Sequence, residues 1–483
     1  MRRRIIIILT FISFSCYAQN LSLSLSDAIN LALNNNQTLK QYEAKLKQKE
    51  YDYLASYGNF LPAINFDFSY SHLNEEMDID LNPIRDLIIS LQSSNQAELT
   101  NISGILSGNP PMNQNQKEII KQQTFAYLNN LIPPFYQTFK KQNYKSGAFL
   151  VTQPIFVGGK LLAARNASLS EKNAANNELE KVKNEVIYQT VDSYLKVLLL
   201  KEIVKTRKEV LEGMIQHRTN ANRLFQEGII ANYHLLRAEV AVSEAEKNLL
   251  NDKNNLSLAI ESFKNITNIS SISADDFLDT LCFKVFSDSL SSMINKAMNN
   301  QPILKITQDK KELAKQNFNA ARSSFLPTVA AFGKYEVYPE YLSSLEPRWV
   351  IGIQMKYNLF NGFKDYLKLQ NAKYLEEEVA FAENDIRKKI ELWVTKSYLE
   401  MINYKTQYEK LNSTLKLAEE NLRMNEKRFE TGMSTSLEVI DARLSLERVK
   451  IDRLLSLYQY YNSMANLLLA AGNPHEILHI WSN

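Results

Sequence analysis

Two short runs in this 483-residue chain hold residue types that could do chemistry. His475-Glu476-Ile477-Leu478-His479 has the H-E-x-x-H spacing. It sets two imidazoles one helical turn apart with a carboxylate beside them, as in zinc sites that activate water. The rest of such a site is missing. Only Ile480 to Asn483 remain to supply a third ligand, and a tail after Asn473-Pro474 is expected to be loose, with no enclosed cavity. Gly158-Gly159-Lys160-Leu161 has glycines and a lysine, as a phosphate loop does, but lacks the upstream glycine and the Ser/Thr after the lysine. His72 and His217 have no partners at ligand spacing and are expected on the surface. The expectation is a chain that is no enzyme and holds no metal or cofactor.

Two charged pairs suggest electrostatics rather than reaction. Glu438 and Asp441 are three apart and share one helical face; His234 and Arg237 have the same spacing earlier in the chain. The elements that carry them follow from periodicity. In Arg348 to Phe363, Trp349, Ile351, Ile353, Met355, Tyr357 and Leu359 alternate with Gly352, Gln354, Lys356 and Asn358. A period of two puts an apolar set with aromatics near both ends on one face and a polar set on the other. That is the pattern of a strand with one face in lipid and one toward a wet lumen. After Asn361-Gly362 the spacing turns helical and stays so for roughly 65 residues, a rod of about 100 Å.

Composition narrows the class. A net charge of +3 gives no case for a nucleic-acid partner, and no 18-residue apolar window follows the N-terminus, which excludes a helical membrane protein. Arg2-Arg3-Arg4, the apolar run Ile5 to Phe14 and Cys16-Tyr17-Ala18 form an export signal, residues 1–18, cleaved after Ala18. Lipidation of Cys16 is the alternative. Cleavage leaves Cys282 alone, so no intrachain disulfide supports the fold.

The chain is internally duplicated. Asn34-Asn35, Leu39-Lys40 and Phe60-Leu61-Pro62 recur 265 residues later as Asn299-Asn300, Leu304-Lys305 and Phe325-Leu326-Pro327. Further on the offset is 204: Phe156 and Gly158 match Phe360 and Gly362, Tyr194 matches Tyr398, Phe225 and Gly228 match Phe429 and Gly432, and Ala238 matches Ala442. The 61-residue difference places extra chain between Pro62 and Phe156. The first structural repeat is therefore 19–270, with an insertion at 72–147, and the second is 271–483 with a short C-terminal tail. Each repeat reads as an amphipathic helix (26–59, 288–324), two strands, a long helix (160–226, 364–430), a glycine turn and a second helix (230–266, 434–470). Tyr404, Tyr408, Leu411, Leu415, Ala418 and Leu422 step by four and three, the seam of a coiled coil. Within the insertion one helix is expected from about 115 to 131; a partly helical cap over the outer mouth and a disordered polar loop both remain open. Four strands cannot close a barrel, and an open edge is untenable in hydrocarbon, so several copies must complete one sheet.

In its duplicated order of helix, strand pair and helical hairpin, in the Leu-Pro steps before the strands, and in Arg223-Leu224-Phe225-Gln226-Glu227-Gly228 and Arg428-Phe429-Glu430-Thr431-Gly432, the sequence resembles the TolC-type outer-membrane efflux and secretion channels. The resemblance implies a mainly α chain that also contributes four strands to a shared 12-stranded barrel of a homotrimer in the outer membrane. Its long helices would form a periplasmic α-barrel. It also implies a periplasmic adaptor and an inner-membrane pump as partners. The function implied is the passive exit duct of a tripartite pump for small toxic compounds, or the exit duct of a type I protein secretion system. Under it Arg223, Gly228, Arg428 and Gly432 become adaptor contacts, and Glu438 and Asp441 line the closed periplasmic entrance. His234 and Arg237 depart from an all-acidic entrance, and Arg237–Asp441 is the expected latch between neighbouring helices.

Overall fold

The computed structural model describes residues 22–342 and 346–482, so the export signal and Cys16 lie outside the described residues. The order in the first half is α1 (Leu25–Asn35), α2 (Gln37–Gly58), β1 (Ala63–His72), β2 (Met77–Asp80), α3 (Asn82–Leu106), α4 (Gln114–Leu131), β3 (Tyr136–Lys140), β4 (Asn143–Val157), α5 (Lys160–Gln226) and α6 (Asn232–Thr267). The second half repeats it without the insertion: α7 (Leu290–Asn300), α8 (Pro302–Ser323), β5 (Thr328–Glu336), β6 (Trp349–Lys356), α9 (Lys364–Glu430) and α10 (Ser436–Ala470), then α11 (Glu476–Ser482). None of the described helices is long and apolar enough to cross a membrane.

The chain divides into two compact units, and each draws on both halves of the sequence. One is helical: the described residues up to Ser56, Leu162–Ala321, and those from Tyr366 to 482. Its main core buries Tyr194, Phe263, Phe277, Tyr460 and Tyr461 almost completely. Large aromatics supply the most apolar area per residue, and their hydroxyls need partners. Tyr194 Oη lies 2.9 Å from Leu23 O and 2.7 Å from Asp279 Oδ2, and Tyr460 donates to Lys284 O at 2.9 Å. The same rings that fill the core thus tie the linker between the halves to it. Each sequence-expected amphipathic helix is in fact two. Asn36 leaves helical geometry and its Oδ1 accepts the amides of Thr38 and Leu39, capping α2. Gln301 likewise leaves helical geometry ahead of Pro302, where the α region is disfavoured. The two breaks stand 265 residues apart. Their amides donate to the ends of corresponding helices, Asn36 to Ile266 O (2.9 Å) and Gln301 to Leu469 O and Ala470 O (3.1 and 3.0 Å).

The C-terminal tail is not loose, as expected from its sequence, but docked. Ile477 is buried, the Trp481 ring meets Tyr461 at 5.0 Å, and Lys296 binds Glu476 at 2.9 Å. The would-be general base is thus an ion-pair partner, and α11 starts only at Glu476, leaving His475 outside the helix.

The other unit is Tyr57–Leu161 with Arg322–Asp365. It holds an antiparallel sheet in the order β1-β4-β5-β6. Ile64 pairs with Val151, Val151 with Gly333 and Gly333 with Ile351 across it; Phe66, Phe149, Tyr335 and Trp349 form the adjoining row. That face is apolar yet uncovered: Ile351 is 77% and Ile353 71% exposed. The opposite face carries Asn65, Asp67, Thr152, Lys334, Glu336, Gln354 and Lys356. The insertion is ordered. It has the expected helix α4, but also a second one, α3, and the ribbon β2–β3 flanks the pair in sequence. α3 begins at Asn82-Pro83, where a proline in the first turn costs no hydrogen bond.

Candidate functional site

The hairpin turns α5–α6 and α9–α10 are built by the same backbone device. Gly228 (φ 74°) donates to Phe225 O at 3.0 Å while Ile229 donates to Leu224 O at 2.9 Å. Gly432 (φ 73°) donates to Phe429 O at 3.0 Å and Met433 to Arg428 O at 2.8 Å. This is the six-to-one and five-to-two closure of a helix whose terminal residue takes a left-handed conformation, where a side chain is disfavoured. Both glycines therefore do what their sequence positions imply. Leu224, Ala221, Ala238, Phe429 and Val439 pack beneath the turns and fasten the two hairpins together. Arg428 is exposed, and its Nη2 donates to Met433 O at 3.2 Å, closing its own turn; Arg223 is exposed on the other hairpin.

The two charged pairs stand within the first two turns of α6 and α10. Glu438 and Asp441 are exposed on α10. Glu438 accepts from Ser434 Oγ at 2.6 Å, and this bond, with the Arg428 charge, holds its carboxyl below the usual range. Thr435 caps the helix by accepting the Glu438 amide. On α6, Ala231 offers no side-chain cap; the His234 ring lies 4.0 Å from that of Tyr233, and Arg237 sits 6.0 Å above the Tyr233 ring. Among the described residues Arg237 and Asp441 are not paired within one chain.

His217 corrects the sequence reading: it is buried, not on the surface. Its Nε2 lies 2.7 Å from Ser436 Oγ and its ring 4.7 Å from that of Phe429. Burial, reinforced by the Arg443 charge, pushes its pKa down to about 4. His72 is exposed as expected, 2.7 Å from Asn143 Oδ1. Arg443 pairs with Glu426 and presses its guanidinium into the backbone of α5 at Gly213, where a Cβ would collide with it. A polar cavity of about 270 Å³ lies among Gly213, Gln216, His217, Glu426 and Arg443. The sequence offered one signal for this cluster. Gly213 is an isolated glycine inside a 67-residue helix, a position that marks close approach of another group. Lower down, Arg207 of α5 binds both Asp252 of α6 (2.8 Å) and Glu447 of α10 (2.6 Å), clamping one hairpin to the other.

The sequence profile of the outer membrane efflux protein family matches residues 128–268 and 293–473, more than half the chain and once in each half. No curated protein sequence matches. Among solved structures, a membrane protein from Pseudomonas aeruginosa is similar at 12% identity with TM-score 0.71, covering 93% of this chain and 90% of its own. The outer membrane protein VceC of Vibrio cholerae is similar at 15% identity with TM-score 0.69, covering 93% and 96%. The CmeC outer membrane channel of Campylobacter jejuni is similar at 17% identity with TM-score 0.68, covering 93% and 85%.

Proposed function

We propose, since this chain belongs to the outer membrane efflux protein family, that three copies form the passive exit duct of a tripartite pump for small toxic compounds. The observation that carries this reading is the sheet. Its apolar face is uncovered, its other face is polar, and β1 and β6 each keep one unpaired edge. Unpaired backbone groups are tolerated in hydrocarbon only when a ring closes, so identical copies supply the missing neighbours. Three copies give 12 strands, wide enough for a lumen. We read 19–270 and 271–483 as two descendants of one unit, because breaks, turns and strands recur at fixed offsets.

The energy comes from elsewhere: an inner-membrane pump reached through a periplasmic adaptor. Arg223, Gly228, Arg428 and Gly432 form the adaptor contact in this reading, since they stand at the two hairpin turns. Glu438 and Asp441 with His234 and Arg237 form the periplasmic gate. Three copies of two exposed carboxylates in a narrow ring favour cations and repel anions at low salt. Arg237 of one hairpin then meets Asp441 of a neighbouring one and latches the ring. A strain lacking the gene is expected to become sensitive to dyes and antibiotics, with resistance restored by the intact gene. Asp441→Lys is expected to raise single-channel conductance and antibiotic leakage. An unchanged sensitivity of the deletion strain would remove the small-compound reading, and unchanged conductance in Asp441→Lys would remove the latch.

A further inference from the structure

The insertion carries a surface that one copy of the chain leaves bare. α3 turns Ile89, Ser93, Ala97 and Asn101 toward α4 and buries them. On its far side Ile84, Ile88, Leu91, Asn95, Glu98, Ile102 and Ile105 step by four and three over the helix. That spacing holds one straight stripe for three heptads, about 33 Å. Its isoleucines and leucine are 43% to 62% exposed. An exposed stripe that is apolar at five of its seven positions marks an interaction surface.

Sequence and geometry identify the occupant as further copies of this chain. Isoleucine stands at both seam positions, Ile88 and Ile102 at one and Ile84 and Ile105 at the other, a choice that favours three or more strands over two. The flanking Leu87, Leu99 and Leu106 are exposed as well, which widens the stripe as a bundle of more than two helices requires. Asn95 is a lone neutral polar residue in mid-seam, the kind that fixes register. Glu98, the one charge in the stripe, is already matched by Lys117 of α4 at 2.9 Å. The insertion leaves the sheet between β1 and β4, at the end opposite the strand ends that lead from α2 and into α5. Copies related by a rotation axis bring their α3 helices together in parallel.

We infer that the α3 helices of three copies pack seam to seam on the three-fold axis as a parallel coiled coil that caps the outer mouth of the duct. This rests on the trimeric reading above. The test uses the full-length protein in detergent with Cys282→Ser, into which Leu91→Cys, Ile102→Cys, or Gln122→Cys on the exposed side of α4 is introduced. Oxidation is expected to convert most of the Leu91→Cys and Ile102→Cys protein to disulfide-linked dimer, with only a trace for Gln122→Cys. Mass measurement of the unoxidised sample separates the two claims. A trimer whose stripe cysteines stay unlinked overturns the coil and leaves the duct reading standing, whereas a monomer overturns both. In vesicles, labelling of an unlinked Leu91→Cys by a lipid-soluble maleimide would assign the stripe to lipid and end the inference.

Discussion

His217 shows how one side chain can set a pH response at the tip. Its partners come from both of the other helices packed there: Phe429 and Glu426 from α9, Ser436 and Arg443 from α10. The fold holds the imidazole neutral, with its pKa at about 4 against an ordinary 6.5. A group whose folded pKa is depressed contributes stability that is fully present above 6.5 and lost as pH falls toward 4, because only the open state binds the proton. Across that window the loss is roughly 3 kcal/mol. Amide protection in the first turns of α10, taken relative to the intrinsic exchange rate at each pH, is therefore expected to fall on going from pH 7.5 to 5, and far less so in His217→Gln. An equal fall in the two proteins would exclude His217 as the cause. The sequence did not reveal this because all four partners lie more than 200 residues away on the other hairpin, whereas Gly228 and Gly432 were legible because a positive φ at a helix end is a local demand.

At the scale of elements, the long helices α5 and α9 were readable almost to the residue and the alternating strands to within a few residues. Their periodicity persists for many turns, and each is seen twice at a constant offset. The break at Asn36 was not, since a capping amide and a continuing helix look alike until the acceptor carbonyl is in place, whereas Pro302 marks the break at Gln301 locally. α3 escaped for a different reason: its apolar residues line two sides, so no single amphipathic face marks it as a helix. The strand-to-helix turns make a testable contrast between repeats. Gly158 (φ 63°) would carry a Cβ only 2.7 Å from Ser323 O, while Gly362 (φ 57°) has open space around it. Gly362→Ala should lose about 1–2 kcal/mol, the cost of a left-handed L-residue. Gly158→Ala adds a clash with fixed backbone and should lose clearly more, read as a larger drop in the thermal midpoint of the assembled protein. Equal midpoints would mean that the turn before α5 relaxes freely.

Over the whole molecule the sequence's demand for partners and the structure's open sheet coincide. An apolar surface on one face, polar groups on the other and two unpaired edges are tolerable together only in a closed ring within a bilayer. The two faces of β6 allow this to be weighed directly. Ile353 lies on the apolar face opposite Ala331, and Gln354 lies next to it in sequence but on the polar face opposite Ala330. An arginine at the lipid face near the bilayer centre costs about 2–4 kcal/mol. The proposed trimer would bear it three times, for a total of about 6–12 kcal/mol, which rivals the whole stability of an ordinary domain. Ile353→Arg is thus expected to abolish folding into phosphatidylcholine vesicles, while Gln354→Arg, one residue away and facing the lumen, folds with normal yield. The pair shares charge, size, strand and edge, so only the face differs. Equal yields would mean that the exposed apolar face does not meet lipid, and the ring of strands would then have no reason to close.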